Sequence, residues 1–162
     1  MRDYSSGMLT TFGHFALKEG VIEMRAKMPG GGGLLPALWL LPQSQHWPPE
    51  LDVIEVLGSD PTSAIMTLHW GATADEHQQE QFIVPTLDLS SDFHIFTLEW
   101  LTHAVIWSID GQEVARASEH VPDQKMFLLL NLAIGGDWPG APDNTVLPQA
   151  LTVDYVRVFQ RA

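Results

Sequence analysis

The chain has 162 residues, of which 45% are apolar, enough for one domain with a sizeable core, which excludes an intrinsically disordered protein. It carries 8 Lys and Arg against 20 Asp and Glu, a formal net charge of -12, so neither nucleic acid nor an anionic membrane is an expected partner. The sequence contains no cysteine, which excludes disulfides and cysteine-ligated zinc.

Short strand-like runs recur along the whole chain, with turn residues between them. This pattern is typical of an all-β fold, either a sandwich or a barrel. No repeat, linker or change of composition divides the sequence, so residues 1–162 are expected to form a single domain. The predicted strands are residues 7–12, 14–18, 21–28, 34–41, 51–57, 65–70, 81–84, 94–100, 104–109, 113–117, 126–134 and 151–160.

The segments between these strands differ in character. Residues 29–33 and 135–140 are loops rich in glycine and proline, and residues 73–80 are polar and acidic, which predicts a surface loop or one turn of helix. No apolar run approaches the ~18 residues of a membrane span. The N-terminus has no apolar signal segment, so either the protein is cytoplasmic or a leader was removed or was never part of this sequence.

The run from Glu50 to Glu55 places three carboxylates inside an otherwise apolar strand. Side chains alternate between the faces of a strand, so Glu50 and Asp52 share one face and Glu55 points to the other, into the core. A carboxylate there would be costly unless it were paired. A β-bulge at Val53 and Ile54 would resolve the conflict, because one extra residue returns Glu55 to the face of the other two acids.

We call these three residues the acid cluster. Glycoside hydrolysis uses such acids: one carboxylate attacks the anomeric carbon, and another acid protonates the leaving oxygen. Retaining enzymes hold the two groups about 5–5.5 Å apart, which Glu50 and Glu55 could approach only on a curved and bulged strand. Asp52 would hold a proton or a hydrogen bond, and crowding of like charges would keep one glutamate protonated. The alternative is an edge strand with solvated acids, and the apolar residues of the run argue against it.

The six tryptophans suggest sugar binding, because a flat indole stacks on the apolar face of a sugar ring. Trp47 and Trp138 lie in predicted loops and are candidates for a sugar-binding cleft. Trp39 fits the cleft and the core about equally well. Trp100 and Trp107 lie inside apolar strands and are predicted core residues.

His69 lies on a strand predicted to neighbour the acid cluster, which it could reach with a hydrogen bond. The alternative is a purely structural histidine. The other six histidines show no metal-ligand spacing, so no metal site is predicted.

The run Glu50-Leu51-Asp52-Val53-Ile54-Glu55 resembles the Glu-x-Asp-x-x-Glu signature of glycoside hydrolase family 16. Segments from residue 4 to the C-terminus agree with that family in order, including the stretches 33–42, 93–100 and 153–160. The resemblance implies an all-β jelly-roll sandwich of two curved antiparallel sheets with a concave glycan-binding cleft. It also implies retaining cleavage of a β-glycan.

By motif position, the resemblance implies that Glu50 is the nucleophile, Asp52 its helper and Glu55 the acid/base. The two-residue spacer before Glu55 resembles that of laminarinase-like members, which implies β-1,3-glucan or mixed β-1,3/1,4-glucan as the polysaccharide substrate. An extracellular or periplasmic location is implied as well. The residues implied to line the cleft are Trp39, Trp47, His69, Asn131 and Trp138.

The sequence departs from the family pattern in two places. Leu35 and Leu38 replace aromatic residues, and family members have further strands before the segment that begins at Tyr4. A domain that is short at its N-terminus is therefore expected to expose sheet edges, which favours a homodimer.

Asp154 matches the family's calcium ligand near the C-terminus. Because the partners of that ligand belong to the strands before Tyr4, a structural calcium ion is not the expectation, and no cofactor is predicted. Three functions are consistent with the sequence: a retaining β-glucanase, an inactive or glycan-binding fragment, and a transglycosylase that uses the same site.

Overall fold

The computed structural model describes residues 3–160, which contain eleven β-strands. One turn of 3-10 helix, Ala74–Glu76, lies between the fifth and sixth strands. None of the described residues belongs to a helix with the length and apolar character needed to cross a membrane. The strands are β1 (Met8–Thr10), β2 (Gly20–Lys27), β3 (Leu34–Pro42), β4 (Glu50–Glu55), β5 (Ser63–Trp70), β6 (Gln78–Pro85), β7 (His94–Leu101), β8 (Ala104–Ile109), β9 (Gln112–Ala117), β10 (Met126–Ile134) and β11 (Thr152–Phe159).

The strands form two antiparallel sheets that pack face to face. The six-stranded sheet has the order β1-β10-β3-β4-β5-β6, and the five-stranded sheet has the order β11-β2-β7-β8-β9. The predicted all-β sandwich is confirmed. The strand that carries the acid cluster, β4, lies inside the six-stranded sheet between β3 and β5, so the alternative of an edge strand with solvated acids is wrong.

Alternation of side chains along each strand explains how the two sheets bury a common core. In β2, Ile22, Met24 and Ala26 are fully buried, whereas Glu23 and Arg25 on the other face stay partly exposed. The same period-2 pattern in β7 turns its apolar side chains inward. One face of each sheet is thereby buried in the core. The opposite face of the six-stranded sheet remains available for polar groups.

The two predicted core tryptophans lie in this core. Trp100 and Trp107 are at most 1% exposed, and the indole N–H of Trp100 donates to the carbonyl oxygen of Pro122 at 3.2 Å. A buried indole needs such a partner. Truncation of either ring to alanine is expected to cost about 3–5 kcal/mol of folding free energy.

The predicted strand at residues 14–18 is wrong. The chain turns just before it, and the N–H groups of His14 and Phe15 both bond to the carbonyl oxygen of Thr11, at 3.0 and 2.9 Å. Gly13 has φ +76°, a conformation that reverses the chain and that glycine adopts readily. Only Leu17 forms a bridge, to Met126, because the preceding backbone bonds are used within the turn.

Candidate active site

A β-bulge in β4 brings the three acids to one face. Consecutive residues of β3 pair with Ile54 and Asp52, which leaves Val53 as the extra residue. The register against β5 shifts over the same segment. Glu55 therefore returns to the face of Glu50 and Asp52, while Ile54 is fully buried in the core, as the parity of the sequence predicts.

The bulge is secured from the opposite sheet. Trp107 of β8 donates its indole N–H to the main-chain carbonyl oxygen of Asp52 at 2.8 Å, a buried hydrogen bond. A bulge disrupts the regular ladder, and a buried carbonyl without a partner is costly. A tryptophan that the sequence predicts only as core therefore also fixes the backbone beneath the acid cluster.

Glu50 is surrounded by hydrogen-bond donors. The indole N–H of Trp47 donates to Oε2 of Glu50 at 2.7 Å, and Asp52 forms a second side-chain hydrogen bond with it. Burial raises the pKa of Glu50, but the nearby His69 and these two hydrogen bonds act in the opposite direction. Within the cluster, the donors favour Glu50 as the group that carries the negative charge.

Asp52 is the most buried of the three acids, at 1% exposure. Burial raises its pKa well above the ordinary aspartate range, and the charge of Glu50 and the hydrogen bond to it raise it further. Its Oδ2 lies 3.1 Å from Nε2 of His69. These effects favour the protonated form of Asp52, which can donate a hydrogen bond to Glu50.

Glu55 also favours its protonated form at neutral pH. Burial, followed by the charges of Asp52 and Glu50, raises the pKa of Glu55 to about 8. Glu50 and Glu55 therefore differ in surroundings: hydrogen bonds favour the ionised form of Glu50, whereas burial and neighbouring charges favour the protonated form of Glu55. An ionised carboxylate beside a protonated carboxylic acid is the pairing that retaining glycoside hydrolysis requires.

His77 also belongs to the site, although the sequence does not predict it. It contacts His69 on the side away from Asp52. Nε2 of His77 lies 2.8 Å from Nδ1 of His69, and its ring lies 4.7 Å from that of Trp47. His77 enters from the connection between β5 and β6. The only signal in the sequence is a second histidine eight positions after His69, near the tip of a hairpin.

Trp39 and Asn131 meet on the same face of the sheet. Trp39 pairs with Asp52 across β3 and β4, and its indole N–H donates to Oδ1 of Asn131 at 2.7 Å. Trp39 is only partly buried, so it belongs to the side of the acid cluster rather than to the core. Trp138 is 47% exposed on the loop after β10.

Two groups of side chains have oxygen or nitrogen atoms that are potential metal ligands. Ligand atoms of Glu50, Asp52 and His69 lie within 4.8 Å of one another and could hold an ion, but hydrogen bonds already account for their arrangement. At Asp154, the carboxylate accepts a hydrogen bond from Arg25 at 2.9 Å. A guanidinium in that position competes with a cation, so the residues present around Asp154 do not fit a calcium site.

Comparisons with known proteins agree with this geometry. Residues 1–157 match the family described as Glycosyl hydrolases family 16. Two endo-1,3-1,4-beta-glycanases of Rhizobium meliloti (strain 1021), EglC and ExsH, are 41% and 38% identical, each over 97% of this chain and 34% of the relative. The catalytic domain of an endo-1,3-beta-glucanase (laminarinase) from Thermotoga petrophila RKU-1 superposes with a TM-score of 0.83 at 39% identity, over 94% of this chain and 68% of that one.

The extent of these matches differs between whole proteins and domains. The chain spans about a third of the length of the two Rhizobium relatives, but about two thirds of the Thermotoga catalytic domain. The superposition confirms the predicted jelly-roll sandwich.

Proposed function

This chain belongs to glycosyl hydrolases family 16, and we propose that it hydrolyses β-glucan with retention of configuration. Glu50 is the nucleophile, Glu55 is the acid/base and Asp52 assists Glu50. The observation that carries the proposal is the bulge in β4, which brings Glu50 and Glu55 to one face in different surroundings. Glu50 accepts hydrogen bonds from Trp47 and Asp52, whereas the pKa of Glu55 is raised to about 8.

In the first step, a carboxylate oxygen of Glu50 forms a bond to the anomeric carbon. The glycosidic C–O bond breaks, its electron pair goes to the leaving oxygen, and that oxygen takes the proton of Glu55. In the second step, the Glu55 carboxylate removes a proton from water, and the water oxygen displaces Glu50 from the sugar. The proton of Asp52 stabilises Glu50 as it regains its charge. No step needs a metal or another cofactor.

The proposed substrate is β-1,3-glucan or mixed β-1,3/1,4-glucan. The names of the two Rhizobium relatives and the Thermotoga laminarinase support these linkages. Trp39 and Trp47 are partly exposed beside the acids and offer aromatic faces to sugar rings. Asn131 supplies a polar group on the same face, and His69 is proposed to line the cleft while its two ring nitrogens bond to Asp52 and His77. Trp138 is proposed to bind a more distant sugar from its loop.

The test is release of reducing sugar by the purified chain from laminarin and from mixed-linkage β-glucan. The wild type is expected to release sugar from at least one of them, and Glu50→Gln is expected to lose at least ~10³-fold of this activity while it still folds. Glu113→Gln, an exposed glutamate on the other sheet, is the matched control. Glycan binding without any release would instead favour the binding protein, and transfer to added acceptor sugars would identify a transglycosylase.

Residues 1–162 are proposed to act as one domain that meets its polymeric substrate outside the cell or in the periplasm. A homodimer is also proposed, because β1 and β11 are sheet edges that expose Leu9 (71%) and Phe159 (53%). Such edges are ready templates for pairing with another chain. Light scattering after size exclusion will decide, and a monomer at every concentration would contradict the dimer.

A further inference from the structure

The imidazole of His69 is bonded at both of its nitrogens. Nε2 lies 3.1 Å from Oδ2 of Asp52, and Nδ1 lies 2.8 Å from Nε2 of His77. Burial lowers the pKa of His69, although the charge of Glu50 acts the other way, and this favours the neutral ring, which carries one proton. A neutral imidazole is a donor at one nitrogen and an acceptor at the other. The three groups therefore form a hydrogen-bonded chain with a definite direction.

The hydrogen bonds can run in two directions, one for each tautomer of His69. The two tautomers have opposite consequences for Asp52. If Nε2 of His69 carries the proton, it donates to Oδ2 of Asp52, and the proton of Asp52 stays on the oxygen that serves Glu50. If Nδ1 carries the proton, Nε2 can accept only from a protonated Oδ2. The proton of Asp52 would then be used by His69 and lost to Glu50.

We propose that His77 is a positioning residue that selects the first direction, by donating its Nε2–H to Nδ1 of His69. This inference rests on the proposed function, since it assigns His77 a part in setting up Glu50 through His69 and Asp52. His77 does not touch the reacting atoms. It acts by keeping the proton of His69 on Nε2, the nitrogen that faces Asp52.

The structure holds His77 in place from two sides. Its ring lies 4.7 Å from Trp47 at an interplanar angle of 33° and 5.1 Å from His69 at 25°. Trp47 also donates a hydrogen bond to Glu50. The same indole therefore contacts both His77 and the glutamate that Asp52 serves.

The hairpin that delivers His77 depends on Gly71. Gly71 has φ +148°, and a Cβ on it would lie 2.7 Å from the carbonyl oxygen of Glu76 and 3.2 Å from Cα of His77. Only glycine lets the loop fold back this closely. The loop thereby places His77 directly behind His69.

The decisive probe is the tautomer of His69, read from long-range ¹⁵N–¹H spectra without any substrate and assigned with His69→Gln. The wild type is expected to show the Nε2–H tautomer. His77→Phe keeps an aromatic ring beside Trp47 but removes the donor, and it is expected to abolish that single tautomer. His77→Gln places an amide N–H close to the position of Nε2 and is expected to restore it, whereas His103→Phe, in an exposed turn, is the control.

Kinetics on β-glucan give the functional half of the test. His77→Phe is expected to lower kcat about threefold to tenfold, the range for one net hydrogen bond, with KM within about twofold, and His77→Gln is expected to recover most of the loss. An Nδ1–H tautomer in the wild type, or an unchanged tautomer or kcat in His77→Phe, would overturn the inference. A wild type without hydrolytic activity would overturn the proposed function, while the tautomer spectra would still judge the role of His77 separately.

Discussion

Within residues 3–160 two aspartate–histidine pairs occur, and the pKa of the aspartate shifts in opposite directions in the two. Asp52 and His69 lie 3.1 Å apart in the six-stranded sheet, and Asp110 and His94 lie 2.7 Å apart in the five-stranded sheet. The two histidine side chains are similarly buried, at 15% and 11% exposure, but the aspartates are 2% and 51% exposed. The pKa of Asp52 is raised well above its usual range, whereas that of Asp110 is lowered.

A neighbouring histidine therefore does not by itself decide whether the pKa of an aspartate is raised or lowered. At Asp110, burial is the largest single effect and raises the pKa, but the hydrogen bonds from His94 and from the N–H of Ile95, together with the charge of His94, outweigh it. At Asp52, burial is nearly complete and Glu50 adds a like charge. A site that must hold protons at neutral pH is therefore made by burying acids beside one another, and β4 does this with a bulge.

Substitution of Glu55 should have the largest effect on activity, if this residue supplies the catalytic proton. Glu55→Gln should lower hydrolysis of laminarin by about 10²–10⁴-fold, the usual contribution of a general acid. An aryl glycoside of the same sugar, whose leaving group needs no proton, should suffer much less. Equal losses on both substrates would contradict the role of Glu55.

A second effect of the same substitution concerns stability. Between about pH 4.5 and 8, folded Glu55 keeps a proton that the unfolded chain releases, so the free energy of unfolding falls as pH rises through this window. Glu55→Gln should make that fall smaller, by at most about 5 kcal/mol at ~1.36 kcal/mol per pH unit. Urea unfolding at pH 5 and pH 8 measures it, and an equally steep fall in the variant would contradict the raised pKa.

The two aspartates can be compared directly by the same substitution. Asp52→Ala should lower kcat about 10–100-fold, because it removes a hydrogen bond to a charged group at the nucleophile. Asp110→Ala should leave kcat within about twofold. Similar losses in the two variants would mean that the assignment of Asp52 to the active site is wrong.

The smallest expected effect belongs to the outer pair, His94 and Asp110. Asp110 has φ 51°, a left-handed conformation that asparagine tolerates, so Asp110→Asn should keep the turn and cost about 1 kcal/mol through the weakened bond to His94. Because the pKa of Asp110 is lowered on folding, its contribution is present above about pH 4 and lost as pH falls further. The difference between the two proteins should shrink at pH 3, and a constant difference would contradict this.

Much of the fold and part of the site could be predicted, because they follow from the two-residue period of a strand. The parity of Glu50, Asp52 and Glu55 requires an extra residue, and Val53 is that residue. The same period predicts the buried and exposed faces of β2. Each of these predictions depends only on neighbours along one strand.

What could not be predicted depends on how loops fold. The distance from His77 to His69 is set by the hairpin loop at Gly71 and by Trp47, none of which leaves a periodic signal. In residues 14–18, the run suggests a strand, but a local turn at Gly13 takes the backbone hydrogen bonds first. Trp138 has the right side chain for sugar binding, and only the path of its loop decides what it contacts.

The proposed function requires that Glu50 attacks the sugar and forms a covalent bond with it. A 2-deoxy-2-fluoro-β-glucoside with a good leaving group slows the second step, so the wild type should gain the mass of one glycosyl group. Peptide mapping should place that group on Glu50, and Glu50→Gln should gain nothing. A label on any other residue, or cleavage of the reagent without a covalent adduct, would contradict the account.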